Sequence, residues 1–234
     1  MPCFRMAPVP QFGLAEKAYS AFRPAYPTAL FGLILERVPP DRRKRAVDLG
    51  AGTGLSSQEL CRHFDEVIAV EPDEAMARWL YQLVPNLAVR QMRAEDCSFE
   101  AASVDLVTCG NAFYWMDGPR VLARIAGWLT AEGLLAVNRG SFPRCPPPVQ
   151  AVLEREMVAH WDAFRHDRLR DEEYSIRTIR AAPQFAIVAV ESVPNTVSMT
   201  ATQLAGFCAS TSYGSATCAR STNRTATSKG WKSL

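Results

Sequence analysis

The sequence predicts an α/β protein built as a three-layer, doubly wound sheet with mostly parallel strands. Three observations carry this. Short, nearly unbroken apolar runs recur along residues 46–138, separated by stretches with apolar residues at helical spacing. A glycine cluster, Gly50-Ala51-Gly52-Thr53-Gly54, follows the first run directly. An acid, Glu71, closes the second run. Strand, glycine turn, helix and strand in that order imply right-handed crossovers and a parallel sheet covered on both faces.

Each element has its own justification. Pro24 and Pro27 bracket a turn. Residues 28–38 then place Leu30, Phe31, Ile34, Leu35 and Val38 at helical spacing, with Thr28 as N-cap. Pro39 and Pro40 end that helix. Arg42, Arg43, Lys44 and Arg45 form a basic run, read as a solvated linker before a strand. Strands are expected over 46–49, 67–70, 87–91, 104–109 and 134–138. Helices are expected over 56–63, 73–83 and 119–129 between them. Asp73 and Glu74 lie in a first turn, where the helix dipole favours acids, and Gly133 marks the turn before the fifth strand. After Gly140 the pattern changes. Residues 145–148 are a Pro-rich breaker, 149–167 read as one helix, and 185–190 (Phe-Ala-Ile-Val-Ala-Val) as a sixth strand. From about Ser198 the chain is rich in Ser, Thr and Ala and loses periodicity.

With 234 residues, 48% of them hydrophobic, the chain can bury a sizeable core without disulfides or metals. No apolar run reaches about 18 residues, so neither a membrane span nor a secretory leader is expected. The seven cysteines are odd in number, widely spaced and free of any CxxC pair. That points to reduced thiols, a cytoplasmic protein and no metal site. The net charge of +2 does not mark a nucleic-acid binder. It is unevenly spread. Beyond Glu191 there is no acid, while Arg220, Arg224, Lys229 and Lys232 contribute +4, so the body up to Glu191 is net −2.

The glycine cluster is the most informative segment. In open α/β sheets, ligands sit outside the carboxyl ends of the strands, and glycines there permit close backbone approach. Glu71, twenty-one residues after Gly50, stands where an acid accepts both hydroxyls of a ribose. A dinucleotide site prefers G-x-G-x-x-G. Gly50 and Gly52 satisfy it, but Leu55 holds the third place and Gly54 precedes it. The Gly-Lys-Ser/Thr ending of a Walker-type loop is absent.

The stretch Asp48-Leu49-Gly50-Ala51-Gly52-Thr53-Gly54 resembles the first motif of class I S-adenosylmethionine-dependent methyltransferases, which have a Rossmann-like sheet. Val70-Glu71-Pro72-Asp73-Glu74-Ala75-Met76 is similar to the second motif, and Ala94-Glu95-Asp96 to the loop at the adenine edge. Tyr19 to Pro27 resembles the Y-x-x-x-R-P-x-Y-P segment of a methyltransferase type 11 subgroup that includes trans-aconitate methyltransferase-like proteins. Asn111 to Asp117 is similar to its Q-A-x-H-W-F-D stretch. The resemblance implies S-adenosyl-L-methionine as cofactor. It implies that Arg23, Asp48, Gly50, Ala51, Gly52, Gly54, Glu71, Pro72, Met76, Ala94, Glu95, Asn111 and Ala112 bind it. Tyr26, Phe113, Tyr114 and Trp115 would then wall a pocket for a small-molecule methyl acceptor, such as a carboxylate. His160 and Trp161 are further candidates to cap that pocket.

Several residues depart from the family pattern. Tyr114 stands where the subgroup has His, and no catalytic base is assigned. Arg93 stands where many relatives place an acid on the adenine amine. After Ser210-Thr211-Ser212-Tyr213 no apolar run follows, so the final antiparallel strand of the family is expected to be missing. The expected organisation is a methyltransferase domain over 1–212 with its core at 44–140, and a disordered, Ser/Thr-rich basic tail over 213–234. A truncated or alternatively spliced product would explain it. Two other functions are carried as alternatives: a binding or regulatory isoform with impaired catalysis, and an NAD- or FAD-dependent oxidoreductase. Neither nucleic acid nor membrane is an expected partner.

Overall fold

The computed structural model describes residues 16–84, 87–156, 159 and 161–212. The proposed tail at 213–234 and His160 lie outside the described residues. Five strands form one sheet: β1 (Arg45–Leu49), β2 (Glu66–Val70), β3 (Ala88–Arg90), β4 (Val104–Gly110) and β5 (Leu129–Asn138). The order is β3-β2-β1-β4-β5, and every pair is parallel. The strand order reverses between β1 and β4, which makes their carboxyl ends the switch point where such sheets hold ligands.

The three central strands β1, β2 and β4 bury both faces, as their unbroken apolar runs require. On one face Val47, Leu49, Val70, Val104 and Val107 pack with Val121, Leu122, Ile125 and Trp128 of α5 (Gly118–Trp128). On the other, Ala46, Val67, Ala69 and Leu106 pack with three helices. These are α2 (Thr28–Arg37), through Phe31 and Ile34, α3 (Leu55–Leu60), through Leu60, and α4 (Glu74–Leu83), through Leu80. Asp73 caps α4 by accepting from the amides of Ala75 at 2.9 Å and Met76 at 3.1 Å. Asp117 caps α5, with Pro119 in the first turn.

The basic run is committed to the fold. Arg43 donates to the carbonyls of Val38 at 2.7 Å and Leu35 at 2.9 Å, satisfying the open end of α2. Arg42 pairs with Glu132 at 2.5 Å and Arg45 with Glu66 at 2.6 Å.

Four expectations need correction. β5 begins at Leu129, five residues early, and a register irregularity opposite Val104 to Leu106 absorbs the Gly133 turn. The helix expected over 149–167 is interrupted. α6 (Pro147–Glu156) buries no residue, and a 3₁₀ turn at Asp162–Phe164 precedes α7 (Asp167–Arg170) and α8 (Tyr174–Arg180). The sixth strand does not form. Residues 185–190 form no strand and have no ladder partner among the described residues, and Val188 is 69% and Val190 68% exposed. An apolar run supplies strand propensity, but a strand exists only when a neighbour accepts its hydrogen bonds. Conversely, α9 (Ala201–Ala209) forms where periodicity was expected to fail. Thr200 and Gln203 make a capping box for it, and Phe207 and Cys208 are buried as it packs on α1 (Glu16–Phe22). Among the described residues no helix is long and apolar enough to cross a membrane.

Candidate functional site

A cavity of about 710 Å³ opens over the carboxyl ends of β1, β2, β4 and β5. Its floor follows from strand ends. Gly50 and Gly52 come from β1, Glu71 to Asp73 from β2, Gly110 to Ala112 from β4, and Arg139 to Phe142 from β5.

The glycine turn is strained in a way only glycine tolerates: φ is +67° at Gly50, +59° at Gly52 and +92° at Gly54. The three glycines serve different neighbours. A Cβ on Gly50 would lie 2.4 Å from Ala112 Cβ, so this glycine lets the turn touch the end of β4. A Cβ on Gly54 would lie 2.8 Å from Leu80 Cδ2, so this one lets α3 approach α4. A Cβ on Gly52 would meet nothing within 4 Å. It lines the cavity, and its open face is a cradle for a ligand.

Glu71 is 7% exposed and faces the same cavity. Its Oε2 accepts from the Gly52 amide at 2.8 Å and its Oε1 from the Asp73 amide at 2.9 Å. Burial pushes its pKa up to about 7, against the pull of those two amides. Glu95, also buried, behaves oppositely. Desolvation works against its ionisation, but Arg93 and the Asp117 amide at 2.8 Å hold its carboxyl below the usual range. Arg93 is thereby tied to Glu95, at 3.1 Å.

The roof comes from the far parts of the chain. Arg23, at the end of α1, donates from Nε to Ser210 Oγ at 3.0 Å. Its guanidinium lies 4.8 Å from the ring centres of both Tyr19 and Phe207. Phe142 stacks edge-on against Phe207 at 6.3 Å. On the opposite side Arg139 lies 5.0 Å over the Tyr114 ring and donates to Leu169 O at 2.6 Å and Asp171 O at 2.8 Å. Arg168 reaches back to Tyr114 O at 3.2 Å and Met116 O at 2.9 Å. Burial raises the Tyr114 hydroxyl to about 12.

Of the residues named from sequence, Arg23, Gly50, Gly52, Glu71, Pro72, Met76, Ala94, Glu95, Asn111, Ala112, Tyr114 and Trp115 line this cavity. Five do not. Asp48 is fully buried beneath the turn, accepting from Ser57 and Thr108. Ala51 packs into the core and Gly54 into the α3–α4 contact. Phe113 packs in the core beside Tyr174. Tyr26 stands behind the wall, where its hydroxyl accepts from Asn111 Nδ2 at 3.3 Å. Arg139, Phe142, Arg165 and Phe207 line the cavity although no motif marked them, and so does Tyr19, which opens the Tyr19 to Pro27 segment but was not named as a site residue. Position just beyond a strand end was the only available signal, and it applies to Arg139 alone.

Comparison with known proteins agrees with this geometry. Residues 47–137 match the methyltransferase domain family Methyltransf_11. An uncharacterized methyltransferase of Mycobacterium tuberculosis is 32% identical over 137 residues, covering 58% of this chain and 55% of the relative. A trans-aconitate 2-methyltransferase of Deinococcus radiodurans is 35% identical over 109 residues, covering 44% and 41%. The chain spans about half the length of the curated relatives it matches. A solved structure from Anaeromyxobacter dehalogenans, assigned as a type II methyltransferase, superposes with a TM-score of 0.67 at 28% identity, covering 86% of this chain and 83% of that one. These matches set the oxidoreductase alternative aside. In its parallel sheet, with the glycine turn and the acid on one cavity, the chain is similar to methyltransferases, in sequence over residues 47–137 and in fold.

Proposed function

We propose that this chain transfers a methyl group from S-adenosyl-L-methionine to a small-molecule acceptor, with carboxylates as the acceptor class. One observation carries the reading. The open face of Gly52 and the buried carboxylate of Glu71 share one cavity wall, and an aromatic compartment stands beside them. The residues present fit the cofactor. Gly50 and Gly52 admit close approach of its amino-acid end, and Glu71 accepts ribose hydroxyls. Pro72, Met76 and Ala94 flank the base, and Arg23 faces a carboxylate.

When bound, the cofactor supplies a methyl group on a positively charged sulfur, which is already a good leaving group. The chain's task is to align the acceptor and exclude water. Tyr114, Trp115, Phe142 and Phe207 shape an apolar compartment for that purpose. A carboxylate acceptor is nucleophilic at neutral pH and needs no base. Tyr114 keeps its proton, with its pKa pushed up to about 12. Arg139 donates to the main-chain carbonyls of Leu169 and Asp171 and lines the cavity, where its charge suits an anion.

A second reading is a methyltransferase-like binding or regulatory protein with impaired catalysis. It is favoured by the unladdered segment 185–190. Two experiments decide. Calorimetric titration with S-adenosylhomocysteine should show binding, and Gly52→Val should remove it. Incubation with labelled methyl donor and cell extract should yield a labelled, base-labile methyl ester. Binding without any labelled product favours the second reading. A wild-type protein that does not bind S-adenosylhomocysteine overturns the first reading and favours the second.

A further inference from the structure

We infer that Asp48 is a positioning residue for the cofactor turn, locking it to the end of β4 from beneath and touching no ligand. The functional readout of this role rests on the methyl-transfer reading above.

Asp48 is 1% exposed and lines no part of the cavity. Its Oδ2 accepts the Ser57 hydroxyl at 2.6 Å, and its Oδ1 accepts the Thr108 hydroxyl at 2.9 Å. Ser57 stands in the first turn of α3, whose cap position is Gly54 and offers no side-chain bond. A carboxylate reaching in from β1 therefore holds the first turn of α3 through a side chain. Thr108 sits on β4 directly opposite Asp48 in the parallel register. Two residues later β4 ends at Gly110, and Asn111 and Ala112 follow on the cavity wall.

One side chain thus fixes the distance between the two walls of the switch point. That distance has no slack: Gly50 and Ala112 already meet so closely that a Cβ on Gly50 would come to 2.4 Å. Burial disfavours the charged form of Asp48, and the Ser57 and Thr108 bonds oppose that cost. Stability alone would be served by an apolar residue, since its β1 neighbours Val47 and Leu49 are fully buried. A carboxylate here supplies direction: two bonds to two different elements.

The test uses Asp48→Asn, which keeps the shape but turns one acceptor into a donor. The expected result is ~tenfold or greater loss of S-adenosylhomocysteine affinity, as small misplacements of a binding constellation produce. The melting midpoint should move by less than about 5 °C. Amide hydrogen exchange should accelerate at residues 50–57 and not across the sheet. Ser57→Ala and Thr108→Val each delete one partner while keeping the carboxylate. They should give intermediate losses, and they keep the question open to measurement if Asp48→Asn does not fold. Wild-type affinity and wild-type exchange in Asp48→Asn, or in both partner variants, overturn the inference. If the wild-type protein itself binds no S-adenosylhomocysteine, the methyl-transfer reading falls, and exchange at residues 50–57 still decides the positioning role.

Discussion

Glu71 Oε2 accepts the amide of Gly52 at 2.8 Å, so the acid after β2 holds the turn after β1. The same carboxylate takes the Asp73 amide at 2.9 Å. Removing it frees two buried donors and deletes the acceptor proposed for the ribose hydroxyls. Glu71→Ala should therefore weaken S-adenosylhomocysteine binding by roughly 100-fold, about 2.7 kcal/mol. Glu71→Gln, which keeps one acceptor oxygen, should fall between wild type and Ala. Isothermal calorimetry measures both, and equal affinities for all three proteins would refute the role.

The raised pKa of Glu71 gives opposite pH trends for stability and for binding. In the unfolded chain a Glu titrates near 4.5, and in the fold burial pushes this one up to about 7. The native state thus binds the proton more tightly. Its contribution is fully present below 4.5 and is lost as pH rises through about 7. The loss is ~3 kcal/mol at most. A ligand whose hydroxyls donate to the ionised carboxylate binds better over the same rise. Thermal melts with and without S-adenosylhomocysteine, from pH 5 to pH 8, should show the ligand-induced shift growing as the unliganded midpoint falls. Glu71→Gln should flatten both curves.

Gly54 and Gly52 separate fold from site. Gly54→Ala drives a methyl to 2.8 Å from Leu80 at φ +92°. Left-handed strain and overpacking together should cost about 2–4 kcal/mol, visible in denaturant unfolding. Gly52→Ala meets no atom within 4 Å. It should cost only the backbone strain of about 1–2 kcal/mol, yet impair cofactor binding more than Gly54→Ala does.

The unladdered segment makes its own prediction. Val188 and Val190 are 69% and 68% exposed. Changing either to Thr should alter stability by less than about 0.5 kcal/mol, as surface substitutions do. A loss above about 1.5 kcal/mol would mean that these residues pack as a strand in solution.

The sheet and its ligand turn were legible because both are local. Residues 46–49 and 67–70 carry doubly buried apolar runs, and Gly50, Gly52 and Gly54 each answer a backbone demand. Residues 185–190 misled because strand identity depends on a neighbour that a local pattern does not contain. α9 was hidden for the reverse reason. Its signal is the Thr200 and Gln203 capping box and not an apolar stripe. Asp48 was assigned to the ligand through the resemblance of residues 48–54 to the family's first motif. Alternation along β1 sends its side chain into the sheet instead, toward Ser57 and Thr108. Tyr19, Phe142 and Phe207 converge only through tertiary packing.

The hydrogen bond between Arg23 and Ser210 joins residues 187 positions apart. As an equilibrium matter that separation costs little, because loop-closure entropy grows only with the logarithm of length. As a matter of biosynthesis it is long. At about 5–20 residues per second, some ten to forty seconds separate the emergence of Arg23 from that of Ser210. Throughout that interval the nascent chain can form its sheet and glycine turn, while Tyr19 and Arg23 wait for Phe207. The roof of the cavity therefore stays open to water until α9 leaves the ribosome, and its closure waits on a contact made late in synthesis.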